Sequence, residues 1–144
     1  MKNIYISSDK EATDFKDFLI EEIEKLGFSY KDLTEEDFDF VDSSNAVCQS
    51  LLNDDDPQSI GIVLDRYGAG SYMACNKHKN IVAANVSDER SALMTKRHNG
   101  ARILVMGSGI VGKDLARTCL ENFLSYEYDG GRHQIRIDML NKMM

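Results

Sequence analysis

Short apolar runs alternate along the chain with stretches in which apolar residues recur at every third or fourth position. The apolar runs have the length of buried strands and predict strands at residues 3–8, 59–65, 80–87 and 101–108, and residues 29–34 are predicted to form a short second strand. Strands that are apolar throughout, separated by amphipathic helices, indicate a parallel sheet with helices on both faces. We therefore predict a single doubly wound α/β domain over residues 1–144, with about five parallel strands.

The stretches between the strands predict helices. The clearest has an apolar stripe at Phe15, Leu19, Ile23 and Leu26 and ends at Gly27. Further helices are predicted from about residue 39, from Ser71, over 88–99 before a cap at Gly100, over 111–126 and over 133–143. The glycine pair at 130–131 is expected to break the helix that precedes it.

The charge of the chain excludes several classes of partner. Its 144 residues carry a formal net charge of −7, which argues against binding to nucleic acid or to an anionic membrane. No apolar run is long enough to cross a bilayer, and the N-terminus is too short and polar for a signal peptide, so we expect a cytoplasmic protein. Cys48, Cys75 and Cys119 form no CxxC pair and are expected to be reduced.

In doubly wound sheets, ligands bind beyond the carboxyl ends of the strands, where the strand order reverses. The loops to examine are residues 7–10, 65–71, 86–91 and 107–112. The last loop contains a G-x-G-x-x-G pattern at Gly107, Gly109 and Gly112. A dinucleotide site would require a strand after this loop, and none is predicted there. Close packing around a tight turn is therefore the better interpretation.

Two other loops contain candidate chemistry. In DRYGAGSYM (65–73), Gly68 and Gly70 could direct backbone N–H groups at a phosphate or an oxyanion, or simply form a strand-to-helix turn. In TKRHNG (95–100), His98 lies at the end of a helix, where a protonated histidine is favoured, but it could also be a surface cap. The three histidines lack the spacing of metal ligands, so no metal site is expected.

The segment YDGGRHQIRID (128–138) contains two arginines in an otherwise acidic chain. If the segment is helical, Arg132 and Arg136 lie on one face, one turn apart, where two guanidinium groups could bind a phosphate. Alternatively, they could pair with Asp129 and Asp138 and contribute little. The residues alone leave both interpretations open.

Two segments combine these features in a specific order: VSDERSALMTKRHNGARILVMGSGIVG (86–112) and YDGGRHQIRIDMLNKM (128–143). Through them the chain resembles the ribose-5-phosphate isomerase B / galactose-6-phosphate isomerase family, and a weaker likeness extends over nearly the whole chain. The resemblance implies a Rossmann-like fold and aldose–ketose isomerisation of a sugar phosphate through an enediolate. It also implies that no metal or organic cofactor is used.

The resemblance assigns roles to residues in these segments. A histidine at the position of His98 assists opening of the sugar ring, and Asn99 is expected to contact sugar hydroxyls. Arginines at the positions of Arg132 and Arg136 bind the substrate phosphate. The isomerisation itself needs a base over the reacting carbon and hydrogen-bond donors for the enediolate.

The loops after the first and third strands depart from the family pattern. Asp9 keeps the aspartate of the family's Asp-His pair and is expected to contact substrate, but the histidine is missing. Residues 68–70 are expected to offer N–H groups to the enediolate oxygen. Asp65, however, stands in place of the family cysteine that moves the proton, followed by Arg66 and Tyr67 in place of a glycine and a threonine.

Active sites in this family lie between subunits, so a chain without the cysteine can still complete a partner's site. The resemblance therefore implies an A-type subunit that self-associates and works with a cysteine-bearing B-type subunit, converting galactose 6-phosphate to tagatose 6-phosphate in lactose or galactose breakdown. One alternative is that the chain is active alone with Asp65 as base, although Arg66 would stabilise the carboxylate and weaken it as a base. The other is a non-catalytic subunit that stabilises a partner or senses a sugar phosphate.

Overall fold

A five-stranded sheet, all parallel, forms the centre of the protein in a computed structural model that describes residues 3–143. The strands, in the order β2-β1-β3-β5-β4 across the sheet, are β1 (Ile4–Ser8), β2 (Lys31–Asp32), β3 (Ile60–Asp65), β4 (Ala83–Asn85) and β5 (Ile103–Gly107). The helices are α1 (Thr13–Lys25), α2 (Phe40–Leu52), α3 (Ala69–Cys75), α4 (Glu89–Asn99), α5 (Lys113–Ser125) and α6 (Gln134–Lys142). This confirms the predicted doubly wound α/β class; the outermost residues of the predicted domain, 1, 2 and 144, lie outside the described range.

Alternate residues of the central strands serve two separate apolar cores. Ile62 and Leu104 pack into the core that contains α1 and α5, whereas the next residues, Val63 and Val105, pack into the core that contains α2. Both faces of β3 and β5 are therefore buried, and this explains why these strands are apolar throughout. The three cysteines are free thiols and are fully buried in these cores.

The element boundaries differ from the prediction mainly at the edges of the sheet. The strands β2 and β4 are shorter than the predicted strands 29–34 and 80–87, since each has a neighbour on one side only. The helix α3 begins at Ala69 rather than at Ser71, with Gly68 as its N-cap residue, and Asp65 accepts a hydrogen bond from the Ser71 N–H in its first turn. The helix α5 already ends at Ser125, and an irregular segment leads from there to the glycine pair.

The sheet reverses its strand order between β1 and β3, and this places two carboxylates side by side. The chain leaves β1 toward β2 on one side and leaves β3 toward β4 on the other. Asp9 follows β1, and its backbone N–H donates to the Leu64 carbonyl at 3.2 Å; Asp65 is the last residue of β3. Both therefore lie at the crevice in which such folds bind ligands.

Gly100 fixes the end of α4. It has φ +57° and ends the helix with a hydrogen bond to the Thr95 carbonyl. This left-handed conformation suits glycine and places His98 and Asn99 in the last helical turn. Over the described residues, no helix combines the length and apolar character that a membrane span requires.

Candidate functional site

His98, at the end of α4, is in contact with the irregular segment that leads to α6. Its ring stacks on that of His133, with centroids 4.3 Å apart and planes 13° from parallel. Its Nε2 atom lies 3.9 Å from Asp129 Oδ2. Sequence reasoning selected His98 but gave no site role to His133 or Asp129. The signal for His133 was its position directly after Arg132, whereas nothing in the sequence places Asp129 next to His98.

Asp129 is held in place by its neighbour on α4. Arg97 Nε donates to both carboxylate oxygens of Asp129, each at 3.2 Å. The Asp129 backbone N–H donates to the Arg97 carbonyl at 2.9 Å. Three hydrogen bonds between one pair of residues thus fasten the segment before α6 to the end of α4.

Arg132 and Arg136 are exposed near this histidine pair. Arg132 belongs to a short 3-10 turn, Gly131–His133, and Arg136 to the first turns of α6. Neither forms a salt bridge within residues 3–143, and the carboxylates considered as partners are engaged elsewhere. Asp129 binds Arg97, and Asp138 accepts a hydrogen bond from Gln134 Nε2 at 2.8 Å. The two guanidinium groups are therefore available to an anion.

The histidine pair suits an anion better than a metal ion. His98, Asp129 and His133 each offer a ligand atom, all within 4.8 Å of one another. However, Arg97 already occupies both carboxylate oxygens, and Arg132 adds positive charge. Loss of solvation lowers the pKa of His133, and the nearby His98 and Arg132 lower it further. A cation would meet repulsion here.

Asp65, the last residue of β3, accepts hydrogen bonds from the first turn of α3 and from its N-cap residue, Gly68. The Gly68 N–H donates to Oδ1, while the Ser71 N–H and hydroxyl donate to Oδ2 at 3.1 and 2.7 Å. The side chain is buried. Both carboxylate oxygens are therefore used within the protein, where they satisfy backbone N–H groups that the helix leaves unpaired.

The glycines after Asp65 are required by packing. Gly68 has φ +81°, and a Cβ there would overlap the Asn85 side chain. A Cβ on Gly70 would come within 2.9 Å of the Phe40 ring. Since Gly68 donates its N–H to Asp65, the expectation that it offers this group to an enediolate differs from what the structure shows.

Asp9 lies beside Asp65 at the switch point. It caps a 3-10 turn (Lys10–Ala12) by accepting hydrogen bonds from the Glu11 and Ala12 N–H groups, each at 3.1 Å. Burial raises its pKa, and the nearby Asp65 raises it as well. The two aspartates border a cavity of about 260 Å³ whose wall also includes Arg66, Tyr67, Ala69 and Gly70.

The G-x-G-x-x-G pattern after β5 is a packing feature. The Gly109 N–H donates to the Arg66 carbonyl at 2.7 Å, and the Ser108 N–H donates to the Asp65 carbonyl at 2.8 Å. A Cβ on Gly107 would overlap the backbone of Tyr67. The glycines therefore let this loop lie against the loop after β3, and the chain continues into helices rather than into a further strand.

An exposed apolar surface lies on α3 and α6. It consists of Tyr72 and Met73 on α3 and Leu140 on α6, which are 42%, 59% and 45% exposed. We call it the α3–α6 surface. Together with Asn99 it lines a cavity of about 610 Å³ between α3, β4, α4 and α6. Exposed apolar residues grouped around a cavity are typical of an interaction site.

The fold and these residues define a class: a Rossmann-like α/β chain with a histidine and two arginines, free of salt bridges in the described part of the chain, that suit an anionic ligand. The family described as Ribose/Galactose Isomerase matches residues 4–140. The chain therefore belongs to the ribose/galactose isomerase family.

Proteins of similar sequence or structure match this chain over almost its full length. Galactose-6-phosphate isomerase subunit LacA of Streptococcus equi subsp. equi (strain 4047) is 47% identical over 140 residues, which cover 97% of this chain and 98% of the relative. The subunit of the same name from Lactococcus lactis subsp. lactis is 48% identical over 144 residues, with the same two coverages. The crystal structure of ribose 5-phosphate isomerase from Thermotoga maritima has a TM-score of 0.90 at 32% identity and covers 99% of both chains. Ribose-5-phosphate isomerase B from Mycoplasma genitalium, solved with bound ribulose-5-phosphate, has a TM-score of 0.88 at 30% identity and covers 97% of this chain and 94% of its own.

Proposed function

We propose that this chain is the A-type subunit of an aldose–ketose isomerase that converts galactose 6-phosphate to tagatose 6-phosphate through an enediolate. The relatives named as galactose-6-phosphate isomerase subunits support this substrate. The observation that carries the proposal is the division of the site. His98 and the arginines are available to a ligand, whereas the carboxylate at the proton-transfer position is used to cap a helix.

Arg132 and Arg136 bind the phosphate of the substrate. A guanidinium group presents a planar fork of donors that matches phosphate oxygens, and such charged hydrogen bonds are stronger than neutral ones. The absence of salt bridges to either arginine within the described residues supports this role. Because the phosphate is remote from the reacting carbons, its binding energy can position them for reaction.

His98 opens the sugar ring, and Asn99 contacts sugar hydroxyls. An imidazole titrates near neutral pH, so it can take a proton from the anomeric hydroxyl and return one to the ring oxygen. The stacking on His133 and the nearness of Asp129 support a fixed orientation of this ring. Asn99 lies beside His98 in the last turn of α4 and lines the cavity of about 610 Å³ at the α3–α6 surface.

The group that moves the proton between the carbons comes from a cysteine-bearing B-type partner. Asp65 is buried, and both of its carboxylate oxygens already accept hydrogen bonds from the first turn of α3. To act as a base it would have to give up this capping role. The same hydrogen bonds argue against the alternative in which Asp65 makes the chain active by itself.

The α3–α6 surface is the proposed contact for the partner subunit. Its apolar side chains are exposed in the isolated chain, and its cavity includes Asn99 from the candidate site. A subunit packed there would exclude water from the His98 end of the site. The same surface can account for self-association.

The test is isomerisation of galactose 6-phosphate by this chain alone and by this chain mixed with a cysteine-bearing subunit of the family. We expect turnover only in the mixture. His98→Ala in the mixture should then lower kcat by about a hundredfold or more, as loss of a general acid–base group does. His78→Ala is the matched control, because the hydrogen bonds of His78 Nδ1 within residues 3–143 go only to carbonyls of α3.

Unchanged turnover by the His98→Ala mixture would instead favour the non-catalytic subunit. Clear turnover by the chain alone would contradict the need for a partner.

A further inference from the structure

We infer that Asp129 is a positioning residue for His98: it holds the ring with Nε2–H directed at its carboxylate, so that Nδ1 faces the sugar. This inference rests on the proposed ring-opening role of His98. It adds a residue whose sequence position gives no indication of such a role. The structural basis is the arrangement of Arg97, Asp129 and His133 around one imidazole.

The carboxylate of Asp129 is fixed before it meets the histidine. Arg97 donates to both of its oxygens at 3.2 Å, and the backbone bond at 2.9 Å fastens Asp129 to the same residue. Arg97 directly precedes His98 on α4. The helix that carries the histidine therefore also sets the position of the carboxylate, and the two side chains keep a constant relation.

Asp129 is the one carboxylate within ion-pair distance of His98 among residues 3–143. The separation of Nε2 and Oδ2 is 3.9 Å, which is longer than a hydrogen bond and within the range of an ion pair. Catalytic hydrogen bonds are often long without substrate and shorten when it binds. The other charged groups that act on the stacked His133 ring are the cationic Arg132 and Arg136, and Arg97 binds the Asp129 carboxylate.

His133 restricts the ring from a second direction. Its ring lies against one face of His98 at 4.3 Å, with the two planes 13° apart. Partial rotation of the His98 ring about χ2 would disrupt this stacking, and a half turn, which keeps the ring plane, would move Nε2 away from Asp129. The edge held by Asp129 and the face covered by His133 together leave one ring nitrogen, Nδ1, for the substrate.

The chemistry of ring opening benefits from this arrangement. The anomeric hydroxyl loses a proton, the bond from C1 to the ring oxygen breaks, and the ring oxygen gains a proton, so no net proton is consumed. His98 Nδ1 takes the first proton and supplies the second. In between, the imidazolium carries a positive charge, and a carboxylate at Nε2 stabilises that charge while it holds the reactive tautomer.

Long-range ¹H–¹⁵N NMR of the full chain at alkaline pH, without substrate, shows which ring nitrogen of His98 carries the proton. The chain has 3 histidines, so substitution of His78 and His133 assigns the signals. We expect neutral His98 to be protonated at Nε2 in the wild type. Asp129→Asn, whose amide can donate to Nε2, should shift the population toward the Nδ1–H form, and Asp129→Ala should give a mixture.

The kinetic test uses the same variants in the reconstituted complex. Asp129→Asn should lower kcat by about tenfold or more with little change in KM, as expected for a group that acts through a general acid–base residue. Asp129→Glu should recover part of the loss. Asp138→Asn is the matched control, because it removes an exposed carboxylate that accepts a hydrogen bond from Gln134 and forms no ion pair with His98 among residues 3–143, and it should leave both the tautomer and kcat unchanged.

An unchanged His98 tautomer in both Asp129 variants, together with wild-type kcat, would overturn the positioning role. If neither the wild-type complex nor any variant complex isomerises the sugar phosphate, the proposed function is overturned instead. The tautomer measurement needs no substrate, so the two failures can be told apart.

Discussion

Replacing Arg132 with glutamine tests the phosphate site. The change removes the guanidinium group but keeps a polar side chain of similar length. A hydrogen bond to a charged group contributes about 1.5–3 kcal/mol, and each 1.4 kcal/mol is about a tenfold change in affinity. Arg132 is exposed and forms no salt bridge within the described part of the chain, so no internal partner compensates for its loss.

We therefore expect Arg132→Gln to raise the Kd for galactose 6-phosphate by about tenfold to a hundredfold. The lower value applies where the site stays open to solvent, because water and salt weaken exposed charges. The upper value applies if a partner subunit buries the phosphate. Arg132→Lys should be intermediate, since lysine keeps the charge and loses the planar fork.

Isothermal titration calorimetry of the reconstituted complex measures this effect, with Arg90→Gln as the matched control. Arg90 is an exposed arginine in the first turn of α4, at the opposite end of that helix from His98. Galactose without phosphate should bind equally weakly to wild type and to variant. The reasoning is refuted if Arg132→Gln binds galactose 6-phosphate as the wild type does, or if Arg90→Gln weakens it equally.

Two further predictions concern stability. Gly68→Ala should lower the free energy of unfolding by about 2–4 kcal/mol, because the alanine must adopt φ +81° and its Cβ overlaps Asn85. Gly27→Ala, with φ +85° and open space around it, should cost only about 1 kcal/mol, and equal losses in urea denaturation would contradict the steric part of the argument. Hydrogen bonds from Asn3, the Asp56 N–H and Tyr5 lower the pKa of Asp54. A lowered pKa in the folded state stabilises the protein above the unfolded-state value and ceases to do so as pH falls, so acidification below about pH 4 should destabilise the wild type more than Asp54→Asn.

The sheet was predictable from the sequence because its central strands are buried on both faces. Ile62 and Val63 serve opposite cores, so β3 reads as an unbroken apolar run. The edge strand β4 was predicted too long, because Ile81 is also buried although it precedes the strand. An apolar pattern reports burial, and it does not report whether a residue has a strand partner.

The candidate site was predictable only in part. The spacing of Arg132 and Arg136 indicated a shared face, but whether local carboxylates neutralise them depends on Arg97 capturing Asp129. That contact joins residues far apart in the chain, and no local pattern encodes it. The capping role of Asp65 was missed for a related reason: it depends on where α3 begins, and helix ends are the least certain part of a sequence-based prediction.

The hydrogen bonds that Asp65 accepts from the first turn of α3 also affect the neighbouring loop. A carboxylate that accepts hydrogen bonds at both oxygens stabilises the loop after β3 and keeps its backbone ordered. The neighbouring loop after β5 relies on that order, since Ser108 donates to the Asp65 carbonyl. Under the proposed function, this half of the site contributes structure, and the His98 half contributes chemistry to the partner.

The most direct test of the account is the turnover of galactose 6-phosphate by this chain alone and after addition of a cysteine-bearing subunit. The measurement should use a chain concentration high enough to set a firm upper limit on activity. The account predicts no turnover by the isolated chain and clear turnover by the mixture, beyond that of the cysteine-bearing subunit alone. Turnover by the isolated chain that is abolished by Asp65→Asn would contradict it, because Asp65 would then be a base rather than a cap.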